Sequence, residues 1–184
     1  MNIRPYETTD RDDVRYICLN SDGPCDLDET EQFYVLTTFC DYYIEHEPEN
    51  CFVAVDESDK AVGYILCAKD YDAFLPKFES LYLPKLDSLP ENFRTNAKNS
   101  TLMQKKYKDI YPAHLHIDIL PEYQRMGLGG KMMDALRAHL KAQGVPGVML
   151  TVGIDNKTGR SFYEKYGFTV LQPFMETYAY GINT

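Results

Sequence analysis

Residues 113–130 constrain this chain more than any other stretch. Residues 113–120 alternate, with Leu115, Ile117 and Ile119 on one side and His114, His116 and Asp118 on the other, the period of a β-strand. A strand inside a covered sheet is ordinarily apolar on both faces, so this polar face is marked out for chemistry. Pro121 ends the strand. The turn Gln124-Arg125-Met126-Gly127-Leu128-Gly129-Gly130 then leads into a helix with Leu128, Met132, Leu136 and Leu140 at four-residue spacing, closed by Gly144 and Pro146. A glycine turn at a helix N-terminus lets backbone N–H groups approach an anion closely, with the positive end of the helix dipole behind them. The turn is not a Walker loop, because no Gly stands five residues before Gly130-Lys131. It is not the dinucleotide fingerprint either, because Met132 occupies the place of the third Gly.

Around this unit the chain alternates elements. Residues 2–6 read as a strand, and Asp10 is placed to cap a helix with Val14, Ile17 and Cys18 on its apolar face. Residues 21–31 form an acidic, turn-rich loop, after which Thr30 is expected to cap a second helix carrying Phe33, Leu36, Thr37, Cys40 and Tyr43 and ending before Pro48. Residues 51–55 and 61–67 make an antiparallel pair across a polar turn. Residues 70–112 interrupt with four prolines, seven aromatics and a net charge of +1, an insertion of short helical pieces that packs at least in part. Residues 147–153 give the next strand; Asp155 is placed to cap a helix through Tyr166 that ends at Gly167, and residues 168–171 and 174–182 close the sheet. The expected architecture is one α/β domain over residues 1–184, a mixed, mostly antiparallel sheet of six or seven strands with helices on both faces. Phe174, Tyr178 and Tyr180, read as exposed on a late strand, suggest pairing across a homodimer.

At 184 residues, with 44% hydrophobic and 26% charged residues, the composition is that of a globular protein rather than a disordered tail. No apolar run reaches the ~18–20 residues of a membrane helix, and charged side chains from Arg4 to Arg15 stand where a signal peptide would be apolar, so a cytoplasmic protein without a membrane partner is expected. The net charge of -9 argues against a nucleic-acid partner. Residues 1–60 alone carry -12, a surface suited to cationic ligands. The five cysteines are odd in number and include no Cys-x-x-Cys pair, so they read as reduced thiols, with no metal site.

Ile-Leu-Pro-Glu-Tyr-Gln-Arg-Met-Gly-Leu-Gly-Gly, from Ile119 to Gly130, resembles the Q-x-x-G-x-G motif of the GNAT superfamily of acyl-CoA-dependent N-acetyltransferases. Asn156, followed seven residues later by Tyr163 in Phe-Tyr-Glu-Lys-Tyr-Gly-Phe, is similar to the superfamily's second signature, N-x-x-A-x-x-x-Y-E-K-x-G-F, with Gly159 in place of the Ala. The order of elements is also similar to the GNAT fold. Separately, residues 111–118 resemble the acetyltransferase-like domain found with O-linked N-acetylglucosamine (O-GlcNAc) hydrolases.

The GNAT resemblance implies acetyl-CoA as cofactor and acetyl transfer to an amine by direct attack in a ternary complex. It implies that Ile117, Asp118 and Ile119 present backbone groups to the pantetheine arm. The cradle from Gln124 through Arg125, Met126, Gly127, Leu128, Gly129 and Gly130 would hold the pyrophosphate, and Asn156 the cofactor arm or its loop. Tyr163, which on its own reads as a core aromatic of an amphipathic helix, would reach the thioester sulfur and protonate the departing thiolate. Relatives with a catalytic Glu carry it five residues before the Asn, where this chain has Thr151, so the base falls to His116 and Asp118 on the polar face, as a pair or relayed through water. A bulge in their strand would change which of them faces the cleft. His114 reads as a structural histidine. The loop between the first two helices borders the acceptor site in proteins of this resemblance, and its acidity points to a small cationic amine or basic peptide. Two rivals are a non-catalytic acyl-CoA sensor and a protein-interaction module built on residues 70–112.

Overall fold

The computed structural model describes residues 1–184 and contains one seven-stranded sheet. The strands are β1 (Asn2–Pro5), β2 (Phe52–Val55), β3 (Ala61–Ala68), β4 (Ala113–Ile119), β5 (Gly147–Gly153), β6 (Thr169–Phe174) and β7 (Thr177–Asn183). Their order is β1-β2-β3-β4-β5-β7-β6, antiparallel throughout except between β4 and β5. β7 therefore lies inside the sheet, and Tyr180 is fully buried. Of the residues expected on an exposed late strand, Tyr178 and Tyr180 lie on β7, which β6 covers because the final hairpin folds β7 back against β5, whereas Phe174 lies on β6 at the edge of the sheet.

One face carries α1 (Arg11–Asn20), α2 (Glu29–Phe39), α3 (Asp41–His46) and α4 (Tyr71–Lys77), around a core that includes Val14, Ile17, Tyr42, Tyr64, Leu66 and Phe74. The other carries α7 (Leu128–Ala142) and α8 (Lys157–Tyr166) over Ile65, Cys67, Leu115 and Leu150. Full burial of Met132, Leu136 and Leu140 fixes α7 to the sheet, at about 1.5–3 kcal/mol for each side chain.

Three expectations about helix starts are corrected. Asp28, not Thr30, caps α2: its carboxylate accepts from the Glu31 amide at 2.9 Å and Glu31 returns the bond at 3.0 Å, a reciprocal box open to an acidic pair two residues earlier than Thr30. Asn156, not Asp155, caps α8, accepting from the Gly159 amide at 2.7 Å. Asp10 precedes α1 but does not cap it. Its carboxylate takes Arg4 at 2.7 and 2.8 Å and the Glu7 amide at 2.8 Å. The expected second helix also breaks at Cys40, where φ -127° and ψ -65° leave the helical region and separate α2 from α3.

Residues 70–112 fold as α4, a π turn over Phe78–Tyr82, a 3-10 turn over Leu83–Ser88, α5 (Glu91–Asn99) and α6 (Leu102–Tyr107). Phe74, Phe78, Tyr82 and Leu86 are buried against α3, and Met103 against Met149 and Ala179.

Candidate active site

The site is built where two parallel strands part. β4 and β5 pair only at Ala113↔Val148 and His114↔Met149, while β4 stays paired with β3 as far as Gly63↔Ile119. The second half of β4 therefore has a free edge. The Leu120 amide donates to Val62 O at 3.0 Å, and with a period of two the backbone groups of His116 and Asp118 serve β3 while those of Ile117 and Ile119 face the gap. Asp118 thus brings its side chain to the site, and its backbone belongs to β3. The register against β3 runs without a shift, so no bulge alters which side chains share a face.

At the mouth of the gap the chain turns through Arg125 and Gly127, at φ 62° and 79°. The amides of residues 125–130 donate to no protein acceptor, and the first helical bond is Lys131 N–H to Gly127 O at 3.2 Å. Six successive free donors at the start of a fifteen-residue helix fit the pyrophosphate of an acyl-CoA. Leu128 is buried, so only its backbone can take part. Gly127 needs its freedom for the left-handed turn, whereas Gly129 is required by packing: a Cβ there would lie 3.1 Å from the Phe162 ring. Gly130 faces open space. Gln124 points elsewhere than the cradle, its Nε2 donating to Ile119 O and Ser21 O, each at 2.9 Å. It ties the loop after α1 to the end of β4.

Tyr163 comes from α8, on the other face of the sheet from the histidines, and is held by Phe162, Phe168 and Tyr180. Burial raises its pKa, with the Asp118 charge adding to the effect, so the phenol stays protonated. Asp118 is hydrogen-bonded by the Tyr64 hydroxyl. Burial raises its own pKa against that bond and one from Ser21. Asn156 is exposed, and its Oδ1 is taken up by capping α8. A Cβ on residue 159 would lie 2.9 Å from that Oδ1, which accounts for Gly where the second signature has Ala.

On the polar face of β4, Tyr43 from α3 stands between the two histidines. Its hydroxyl is 3.0 Å from His116 Nε2 and 3.1 Å from His114 Nε2. Burial lowers the pKa of His114 to about 3, with a smaller effect of His116, and lowers that of His116 to about 4. Both are neutral near pH 7. His114 is not the satisfied structural histidine expected, since its Nδ1 is buried without a partner. Both rings line a cavity with Thr38, Phe74, Gln104 and Thr151. Tyr43 was not legible as a site residue, because in the sequence it is one more member of an apolar stripe.

The acidic loop reaches this site. Ser21 O accepts from Gln124, and Ser21 and the charge of Asp22 both act on the Asp118 carboxyl. No group of His, Cys, Asp and Glu is arranged to hold a metal ion, and no helix is long and apolar enough to cross a membrane.

A sequence profile of the acetyltransferase (GNAT) family matches residues 18–168, which include the polar strand, the glycine turn and the 156–163 segment. N-alpha-acetyltransferase 30 of Schizosaccharomyces pombe is 27% identical over 143 residues, spanning 78% of this chain and 70% of that protein. The crystal structure of SsHAT superposes with a TM-score of 0.88 at 28% identity, covering 99% of this chain and 97% of that one. PaiA N-acetyltransferase from Thermoplasma acidophilum, solved in complex with coenzyme A, shares the fold at a TM-score of 0.62 and 15% identity, over 100% and 98% of the two chains. These relatives do not bear on the likeness of residues 111–118 to the domain found with O-GlcNAc hydrolases. The polar strand, the cradle and the family match converge on one conclusion: the chain belongs to the acetyltransferase (GNAT) family and is an enzyme of that type.

Proposed function

We propose that the protein transfers an acetyl group from acetyl-CoA to an amine by direct attack in a ternary complex. The observation that carries this reading is the free edge of β4 ending at a turn of six unpaired amides. In this reading the backbone of Ile117 and Ile119 pairs with the pantetheine arm as an added strand would, and the amides of residues 125–130 hold the pyrophosphate. Asn156 lies beside the arm through the side-chain nitrogen that its cap leaves free. When bound, acetyl-CoA supplies the thioester carbonyl and a thiolate leaving group.

The chain's own residues then move protons. His116, neutral near pH 7, accepts one from the acceptor's ammonium. Tyr163, kept protonated by burial and by Asp118, donates one to the sulfur. Asp118 and the loop at Ser21 and Asp22 attract the cationic acceptor, and residues 70–112 wall the acceptor side. A cytoplasmic location, with neither nucleic acid nor membrane as partner, goes with this reading.

The test is release of coenzyme A thiol from acetyl-CoA across a panel of cationic and neutral amines and basic N-terminal peptides. The reading predicts turnover with cationic acceptors, weakened by salt. Equal rates on neutral and cationic amines without salt dependence would remove the cationic preference. Thr151 in place of a carboxylate favours one second reading, an acyl-CoA sensor; saturable binding with no turnover across the panel would establish it.

A further inference from the structure

Three of the six buried side-chain atoms that lack any hydrogen-bond partner belong to residues lining one cavity: Thr38 Oγ1, Gln104 Oε1 and His114 Nδ1. All three residues are more than nine-tenths buried. Native proteins leave few such atoms unpaired, because each loses its bonds to water and gains none in return. The cavity sits at the fork of the sheet. His114 and Met149 are the last partners of β4 and β5, and His116 and Thr151, two residues further along each strand, line the cavity with Thr38 of α2 and Gln104 of α6. Its inner wall is buried, whereas Phe39, Ser100, His116 and Thr151 are partly exposed. It is thus a recess whose mouth faces the gap between the strands.

We propose that this recess takes a hydroxyl group of the acceptor, and that the substrate is a short amino alcohol or a peptide whose first residue bears a hydroxyl. The proposal rests on the acetyl-transfer reading above. In that reading the pyrophosphate lies at the turn after β4 and the arm runs back along the free edge, so the acyl group arrives at the fork. A group that the acceptor carries close to its amine is then what the recess meets.

Size, charge and bonding capacity select the group. The volume of about 20 Å³ has room for one water-sized group, which admits a single oxygen and excludes a carboxylate, a carboxamide or a phosphate. No lining residue carries a charge near pH 7, since both histidines are neutral there, so an ion in the recess would be buried without a counter-charge. The three unpaired atoms match a hydroxyl in number and kind. Gln104 Oε1 accepts the hydroxyl proton, while Thr38 Oγ1 and His114 Nδ1, in the tautomer protonated there, donate to its two lone pairs. A methyl group in the same place fills the recess and leaves all three unpaired. Such a site rejects an analogue that lacks the hydroxyl through its own unsatisfied polar groups. The aromatic walls Phe39, Tyr43, Phe74 and Phe78 leave no room for a longer side chain.

The test uses acceptors that differ by one group: ethanolamine against propylamine, and peptides identical except for serine or alanine as the first residue. Release of coenzyme A thiol is followed, with rates referred to the free-amine concentration. The proposal predicts kcat/KM at least about tenfold higher for the hydroxyl member of each pair that turns over. A first residue of glycine, which leaves the recess to water, should fall between serine and alanine. Gln104→Leu should narrow the ratio to within about threefold, through loss on the hydroxyl member, without changing the affinity for acetyl-CoA. Thr38→Val, nearly the same in shape, serves if Gln104→Leu does not fold. Equal rates within the pairs, or a preference that both variants retain, overturns the proposal. Occupancy is read without turnover from intermolecular nuclear Overhauser contacts between the hydroxymethyl protons of ethanolamine and the Thr38 methyl group, with coenzyme A present. Absence of these contacts also overturns the proposal. Failure to bind acetyl-CoA, or to release thiol with any acceptor, overturns the acetyl-transfer reading alone, and the Overhauser contacts still decide whether the recess takes the hydroxyl.

Discussion

Removing one oxygen atom from Tyr163 tests its chemistry with little change in packing, because the ring contacts with Phe162, Phe168 and Tyr180 remain in phenylalanine. We expect Tyr163→Phe to lower kcat by roughly 10²–10⁴, the usual span for a lost general acid, with KM for acetyl-CoA within about twofold. Steady-state kinetics separate the outcomes: a loss confined to KM would place the hydroxyl in binding rather than proton transfer. His116 and Asp118 stand out in the sequence because alternation puts them on the polar face of one strand, whereas Tyr163 is singled out only by the resemblance of residues 156–168 to the second signature. The roles of Tyr43 and Gln124 were not legible. Tyr43 meets His114 and His116 across more than seventy residues of sequence, and no local period encodes that meeting. Gln124 sits inside the glycine motif yet spends its side chain on Ile119 and Ser21, a tertiary tie that the motif's spacing does not reveal.

At the scale of elements, the two glycines that open α7 should respond with opposite signs. Gly129→Ala drives a methyl to 3.1 Å from the Phe162 ring and should cost about 1 kcal/mol or more as α7 and α8 move apart. Gly130→Ala meets open space and should gain about 0.5–1 kcal/mol by restricting the unfolded chain. Urea unfolding of the two variants measures both, and equal signs would refute the close approach of α7 to α8. Asp28→Ala should cost about 1 kcal/mol through loss of the reciprocal box at α2, seen as a lower midpoint, whereas Thr30→Ala should cost less. Strand and helix identities were legible because their apolar periods are strong. Helix starts were less so, since several polar residues compete for each cap and tertiary contacts decide, as Arg4 does in drawing Asp10 away from α1. The parting of β4 from β5 left no trace in either strand's composition, yet it creates the site.

Across the whole molecule, the two buried neutral histidines make stability depend on pH. Their folded pKa values, about 3 and about 4, lie below the unfolded value near 6.5, so between these limits the unfolded chain binds more protons. Stability should be full well above about pH 6.5 and fall as the pH drops toward 4, by up to about 2.7 kcal/mol per pH unit where both histidines are protonated in the unfolded chain and still neutral in the folded one. Asp118 and Glu47, whose pKa values burial raises, act oppositely over the narrower range just above the carboxylate values. Urea midpoints at pH 7 and pH 5.5 check the net slope, and His114→Gln should flatten it.

The charge distribution belongs to the same scale. The acidic first third brings its α1–α2 loop to Asp118 and Gln124, while the cradle holds no carboxylate. The proposed function places the cationic acceptor and the anionic cofactor at opposite sides of one gap. The most direct test of that arrangement is isothermal titration of acetyl-CoA into the wild type and into Gly130→Glu, which brings a carboxylate to the six free amides at a position where an added Cβ meets open space. We predict saturable binding by the wild type and its loss, by at least tenfold in Kd, in a variant that unfolds at an unchanged or higher urea concentration. No binding to well-folded wild type, or equal affinity in the variant, would contradict the account.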